Sequence, residues 1–265
     1  MKTKIEIKKR FTGKVIFKYK KENNTVKDTV LEAIKRGINL RDADLSYTDL
    51  SNINLENVDL SGADLKSTDL HQTYFYHANL HGADLSYANL SYTDLSNADL
   101  SYANLDNAYV YNARICFANL CGANLHKAYL YGANLRDVNL RDANLYGADL
   151  HCAKLLNANL YDTFLHAVDL LVSNLFEINL YGANLCDMLF RNVGKIKDWI
   201  CFNNIGSRNS ITIFFKTDKG VFVQCGCFFG NLEEFVTKVK EKYNGNKHEM
   251  VYLAVIESIK IKFEL

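Results

Sequence analysis

The chain has 265 residues, 31 Lys/Arg against 30 Asp/Glu, and no proline. Its longest apolar stretches, such as Ile211 to Phe215, fall far short of the roughly 20 residues that span a bilayer, and no apolar segment follows the lysine-rich start, so neither a membrane span nor a secretion leader is expected. Seven cysteines without paired spacing argue against a disulfide framework, and the expectation is a soluble cytoplasmic protein with reduced thiols.

The near-neutral total conceals three electrically different sections. Residues 1–39 hold 12 Lys/Arg and 4 Asp/Glu, residues 40–192 hold 8 and 18, and residues 193–265 hold 11 and 8. The acidity is concentrated further, since residues 40–110 carry 2 basic and 11 acidic groups. In the first section, Lys4–Lys9 and Lys14–Lys20 read as two strands joined around Thr12–Gly13, with Val15, Phe17 and Tyr19 alternating. A helix follows. Thr25 and Asp28 have the spacing of a capping box, Val26, Val30, Ala33 and Ile34 form an apolar stripe, and Gly37 is placed to end it.

From Leu40 to Phe190 an apolar residue stands at every fifth position, 31 times in succession, and 27 of these are Leu. Two residues earlier a small or β-branched residue recurs, Ala in 18 of 30 cases, and the intervening position is Asp or Asn in 23 of 30. A period of five matches neither a helix face nor strand alternation, so the chain must turn at every repeat. Four five-residue sides per coil predict about eight coils, a rise of about 4.8 Å per 20 residues, ladders of residues at i and i+20, and an interior of leucine and alanine.

The pattern A-(D/N)-L-x-x resembles the pentapeptide-repeat family. The resemblance implies an all-β solenoid, a right-handed quadrilateral β-helix over residues 40–192. Some members resemble double-stranded DNA in shape and charge and bind type II topoisomerases, but most have no assigned activity, so the resemblance is specific about fold and not about function. An open β-helix end exposes unpaired backbone and the leucine column. Residues 1–39, a β-hairpin and a capping helix, are therefore expected to cover the first coil.

After Asn192 the period ends. Ser210–Lys216 and Val221–Cys227 read as a hairpin around Thr217–Gly220, and Asn231–Tyr243 and Lys247–Ile261 as helices, giving a small α+β domain over residues 193–265. Gly206-Ser-Arg208 and Gly226-Cys-Phe-Phe-Gly230 resemble a tail found in some bacterial and phage pentapeptide-repeat proteins. Late in the repeat the outward positions turn apolar at Leu156, Leu171, Val172 and Phe176, where the C-terminal domain is expected to dock. Drift of the repeat and a dimer contact are the alternatives.

Three outward features bear on function. Asp44, Asp64 and Asp84 fall in one ladder, Asp49 and Asp69 in a second, and Asp59 and Asp99 in a third. Charges about 4.8 Å apart repel by roughly 0.9 kcal/mol in water, which is tolerable for a solvated face and also suits mimicry of DNA. The hairpin lysines, with Arg10, attract phosphate, guard an exposed edge, or balance the acidic coils beside them. Tyr92, Tyr109, Tyr111, Tyr129 and Tyr131 fall on one side over three coils, where they stabilise a ladder by packing or present a patch to a partner.

No nucleophile–base–acid set stands out, and no phosphate-binding glycine loop is present. Histidines 71, 77, 81, 126, 151 and 166 are outward and too dispersed for a metal. Cys225 and Cys227, two apart on a predicted strand, lack a second ligand pair and read as small residues of a compact sheet. The expected function is a protein-interaction module with no cofactor, no direct nucleic-acid binding and no membrane. The alternative is a DNA mimic acting on a topoisomerase or another DNA-handling enzyme through the acidic coils. The partner and any homodimer stay open.

Overall fold

The computed structural model describes residues 2–165, 168, 196–202, 205, 212–225 and 228–265. Strands β1 (Lys2–Lys9) and β2 (Val15–Glu22) pair antiparallel, and helix α1 (Val26–Lys35) follows. Thr25 caps α1 by accepting from the Asp28 N–H at 3.0 Å, while the Asp28 carboxylate accepts from the Thr25 N–H at 3.1 Å. The helix ends before Gly37, whose φ of +66° is open to glycine at little cost.

From Ala43 the backbone winds with a 20-residue period. Parallel bridges join Asp44 to Asp64, Asp49 to Asp69, Asn54 to Tyr74 and Asp59 to Asn79, then repeat each 20-residue step to Asn144–Phe164. These four ladders are the four sides of the coil, here called first to fourth in that order. The leucines that follow the bridge residues point inward and are 0–1% exposed from Leu55 to Leu105, with the alanines packed beside them in one continuous cluster. Threonines at alanine positions lose no hydrogen bond by burial, since the Thr68 and Thr73 hydroxyls donate to the Leu45 and Leu50 carbonyls at 2.9 and 2.8 Å.

One repeat shows why the motif has this composition. The N–H of Leu85 donates to the Asn104 carbonyl of the next coil at 2.7 Å, that of Tyr87 to Asp106 at 2.9 Å, and that of Asn89 to Thr68 of the previous coil at 3.0 Å. The Ala88 N–H closes the turn on Leu85 at 3.1 Å. The fifth, on Ser86, has no backbone acceptor and donates instead to Asp84 Oδ1 at 3.1 Å. Asp or Asn before the leucine therefore completes the accounting of backbone donors as an Asx turn. The residue two after the leucine holds a positive φ in every repeat from Asp42 to Asp162, the mark of a type II turn.

Strand β3 (Ala43–Asp44) pairs with β1 in the order β2-β1-β3, so the hairpin continues the first side of the rod. Val30 and Ala33 of α1 lie in the same buried cluster as the leucines.

The C-terminal section holds a four-stranded antiparallel sheet, ordered β4 (Ile196–Phe202), β5 (Thr212–Thr217), β6 (Gly220–Cys225), β7 (Phe228–Asn231), followed by α2 (Leu232–Tyr243) and α3 (Lys247–Phe263). The sequence pattern marks β5, β6 and both helices but not β4 or β7. The charged Lys197–Asp198 pair and a register shift interrupt alternation in β4, and β7 is only four residues long. The sheet is two-faced. Ile213 and Phe215 belong to the cluster of the leucine column, with Trp199 and Phe222 against it, whereas Phe214 packs with Phe235, Tyr252 and Ile256 of the helices. Among the described residues no helix is long and apolar enough to cross a membrane.

Candidate partner-binding faces

The bridge position of each repeat is the outward residue that also caps the turn, so its identity sets the chemistry of each side. The fourth side keeps Asp or Asn from Asp59 to Asn159, and the first does so from Asp44 to Asn144. Successive amides on these sides hydrogen-bond along the rod. Asn124 Nδ2 donates to Asn104 Oδ1 at 2.9 Å and Asn144 Nδ2 to Asn124 at 3.0 Å on the first side, and Asn139 to Asn119 at 2.9 Å on the fourth.

The second and third sides depart from this rule. Between 44 and 164 the bridge positions that are neither Asp nor Asn are Tyr74, Tyr109, Arg114, Tyr129, Lys154 and Phe164, and all but Phe164 lie on these two adjacent sides. At each, a turn-capping acceptor has been exchanged for an aromatic or basic side chain. Tyr109 and Tyr129 stack with centroids 5.1 Å apart and planes 4° from parallel, and Tyr111 leans on Tyr129 at 6.0 Å. Burial pushes the Tyr111 phenol pKa up, aided by Tyr129 and Asp149. Tyr92 and Tyr131 do not join this cluster. Tyr92 meets His71 edge-on at 5.7 Å, and Tyr131 stacks on His151 at 5.4 Å. These histidine–tyrosine pairs join unlike residues, one pair 21 apart, and so lie outside any ladder of like residues at a spacing of 20. Most of the surface is accessible, with Tyr92 56% and Tyr131 42% exposed, and Arg114 adds a guanidinium 3.8 Å from Asp94.

The aspartate ladders stand where the 20-residue period places them, but they are not bare. Asp64 and Asp84 lie 4.0 and 3.6 Å from Arg10, Asp49 lies 3.9 Å from Lys27, and Asp59 lies 3.8 Å from Arg41. Asp69, Asp84 and Asp99 accept from the Asn one coil on, each at 3.1 Å. Asp44 accepts from the Ser46 hydroxyl at 2.7 Å. The Asp49 carboxyl is held below the usual carboxylate range chiefly by the Ser51 hydroxyl, then by the Ser51 N–H. Arg10 of the hairpin, Lys27 of α1 and Arg41 thus lie against the acidic coils.

Leu156 is half-buried, while Leu171, Val172 and Phe176 lie outside the described residues, as does Cys227. Cys225 is half-buried and accepts from the Thr212 hydroxyl at 3.1 Å. Among the described residues no three His, Cys, Asp or Glu side chains converge as a metal site would require.

A family model for pentapeptide repeats matches the chain in eight copies, over residues 38–75, 78–115, 103–142 and 128–166. No curated protein sequence matches it. Among solved structures, the chain is similar to a pentapeptide repeat protein of the Arabidopsis thaliana thylakoid lumen, with 33% identity over 37% of this chain and 69% of that one and a TM-score of 0.37. It is similar also to HetL, a pentapeptide repeat protein involved in heterocyst differentiation regulation from the cyanobacterium Nostoc (26% identity, 62% and 96% covered, TM-score 0.26). A third is QnrB1, a plasmid-mediated fluoroquinolone resistance protein (21% identity, 56% and 91% covered, TM-score 0.35).

Proposed function

This chain belongs to the pentapeptide-repeat family, and from that premise we propose that it is a non-enzymatic interaction module that binds a partner protein through the second and third sides of its rod. The observation that carries this reading is the placement of Tyr74, Tyr109, Arg114, Tyr129 and Lys154 on two adjacent sides while the fourth side keeps its Asp/Asn ladder throughout. Five of the six such departures fall on these two sides, and Phe164 on the first side is the exception. Tyrosine and arginine are the residues that protein interfaces favour, because they supply large rigid contact area with a polar tip. Tyr109, Tyr111 and Tyr129 are its centre, with Tyr92 and Tyr131 outside the stacked trio.

The remaining architecture follows the same proposal. A right-handed quadrilateral β-helix of about eight coils occupies residues 40–192, residues 1–39 close its start, and residues 193–265 form a domain that docks near Leu156, Leu171, Val172 and Phe176. Membership of the leucine cluster by Ile213 and Phe215 supports packing of that domain on the rod. A cytoplasmic setting is part of the proposal.

DNA mimicry is the second reading, and the stacked Asp44, Asp64 and Asp84 favour it. Against it stands Arg10, which lies beside two carboxylates of that ladder. Affinity capture distinguishes the two. Wild type is compared with a Tyr109→Ser/Arg114→Ser/Tyr129→Ser variant and with an Asp44→Lys/Asp64→Lys/Asp84→Lys variant. Loss of a retained protein only in the first supports the tyrosine sides, and loss only in the second overturns them in favour of mimicry.

A further inference from the structure

The C-terminal domain has an open pocket of about 400 Å³ between β6, β7, α2 and α3, a size typical of small-molecule sites. Phe228, Phe235, Val239, Tyr243 and Tyr252 wall it, and Cys225 lies on its sheet side. The rings hold one another in place. Phe228 and Phe235 are 5.2 Å apart, Phe235 meets Tyr252 edge-on at 5.7 Å, and Tyr243 stacks on Tyr252 at 5.5 Å. A wall of fixed rings favours a flat aromatic occupant over a flexible chain, because offset and edge-on ring contacts add to area burial.

Polarity divides the cavity into two ends. At the inner end Cys225 Sγ lies 3.7 Å from the hydroxyl of buried Tyr252. Burial, and after it the Cys225 contact, pushes the Tyr252 pKa strongly upward, so the phenol stays neutral. At the solvent end Lys238 and Lys242 stand one turn apart on α2, with Glu241 between them. Glu241 pairs with Lys238 at 3.4 Å, while the Lys242 ammonium lies 5.5 Å from the Tyr243 ring centre. The mouth keeps one net positive charge beside an aromatic face.

We propose that this cavity binds a small planar aromatic carboxylate, with its rings against Phe228, Phe235 and Val239 and its carboxylate at Lys242. The site is separate from the rod faces, so it stands or falls independently of the interaction reading. The test is titration of 1-naphthoate into the full chain, followed by calorimetry. Saturable one-site binding is expected. Lys242→Glu weakens it at least about tenfold while binding of neutral 1-naphthamide stays within about twofold. Val239→Trp fills the cavity and removes both. As a second readout, bound 1-naphthoate slows iodoacetamide alkylation of Cys225 but not of Cys116 or Cys152 on the rod. If Val239→Trp does not fold, the Lys242→Glu and alkylation results decide. No saturable binding by folded wild type, equal affinity in Lys242→Glu, or unprotected Cys225 overturns the proposal.

Discussion

The guanidinium of Arg10 lies 3.6 Å from the Asp84 carboxylate and 4.0 Å from that of Asp64, so one hairpin residue joins two adjacent rungs of a ladder of like charges. It also donates to the Gly62 carbonyl at 3.2 Å. Arg10→Ala should cost about 1–2 kcal/mol in urea unfolding, since it leaves a carbonyl and two carboxylates without their cation. The loss should appear in hydrogen exchange as faster opening of β1 and the first coils. Unchanged protection of β1 would show that the contact is incidental.

The start of α1 should depend on pH at both extremes. The Lys21 ammonium and the Thr25 cap hold the Asp28 carboxyl below its ordinary pKa, and Asp28 holds Lys21 above its own. A depressed carboxyl adds stability that is present above its unfolded pKa and lost as pH falls through the folded one, below about pH 4. A raised lysine adds stability that is present below its unfolded pKa and lost as pH rises above about 10.4. Protection of the α1 amides, taken relative to the intrinsic exchange rate at each pH, should therefore fall at both ends, and Asp28→Asn should flatten both limbs. An unaltered profile in Asp28→Asn would rule this linkage out.

Glycine at the turn should be replaceable by asparagine and not by valine. Gly82 has φ +62° and nothing within 4 Å of where a Cβ would stand, so only the backbone conformation is at stake. Gly82→Val should cost at least about 1–2 kcal/mol, and Gly82→Asn appreciably less, as measured by thermal unfolding. Equal costs would contradict the turn assignment.

The period, the inward leucines and the paired alanines were legible because a fixed spacing of five leaves few geometries open. The left-handed turn residue is marked in the composition too. Of the 25 residues two after the apolar position between 42 and 162, fifteen are Gly, Asn or Asp, against one, Asp106, of the 25 just before them. The role of the ladder aspartate as a turn cap needed the backbone, because the orphan it satisfies, such as the Ser86 N–H, has no sequence signature. The Arg10 contacts were hidden by their separation of 54 and 74 residues from Asp64 and Asp84, and the pairing of Tyr92 and Tyr131 with histidines rather than with the other tyrosines by side-chain lean.

Asn124 joins three such bonds. It donates to Asn104 and accepts from both Asn144 and the His126 N–H. Asn124→Ala should cost about 2–3 kcal/mol, while Asn124→Asp keeps the acceptor and should cost about 1 kcal/mol at neutral pH. Chemical denaturation reads the difference, and the order would reverse if the side chain served only as a solvated polar group.

Placement of the partner on the tyrosine sides is the central claim, and site-specific photocrosslinking tests it most directly. A benzoylphenylalanine is placed at Tyr131, between the second and third sides, or at Tyr161, beyond the fourth. A protein adduct from position 131, absent from position 161 and lost in Arg114→Ser, is the predicted result. An adduct from position 161 and none from 131 would contradict it.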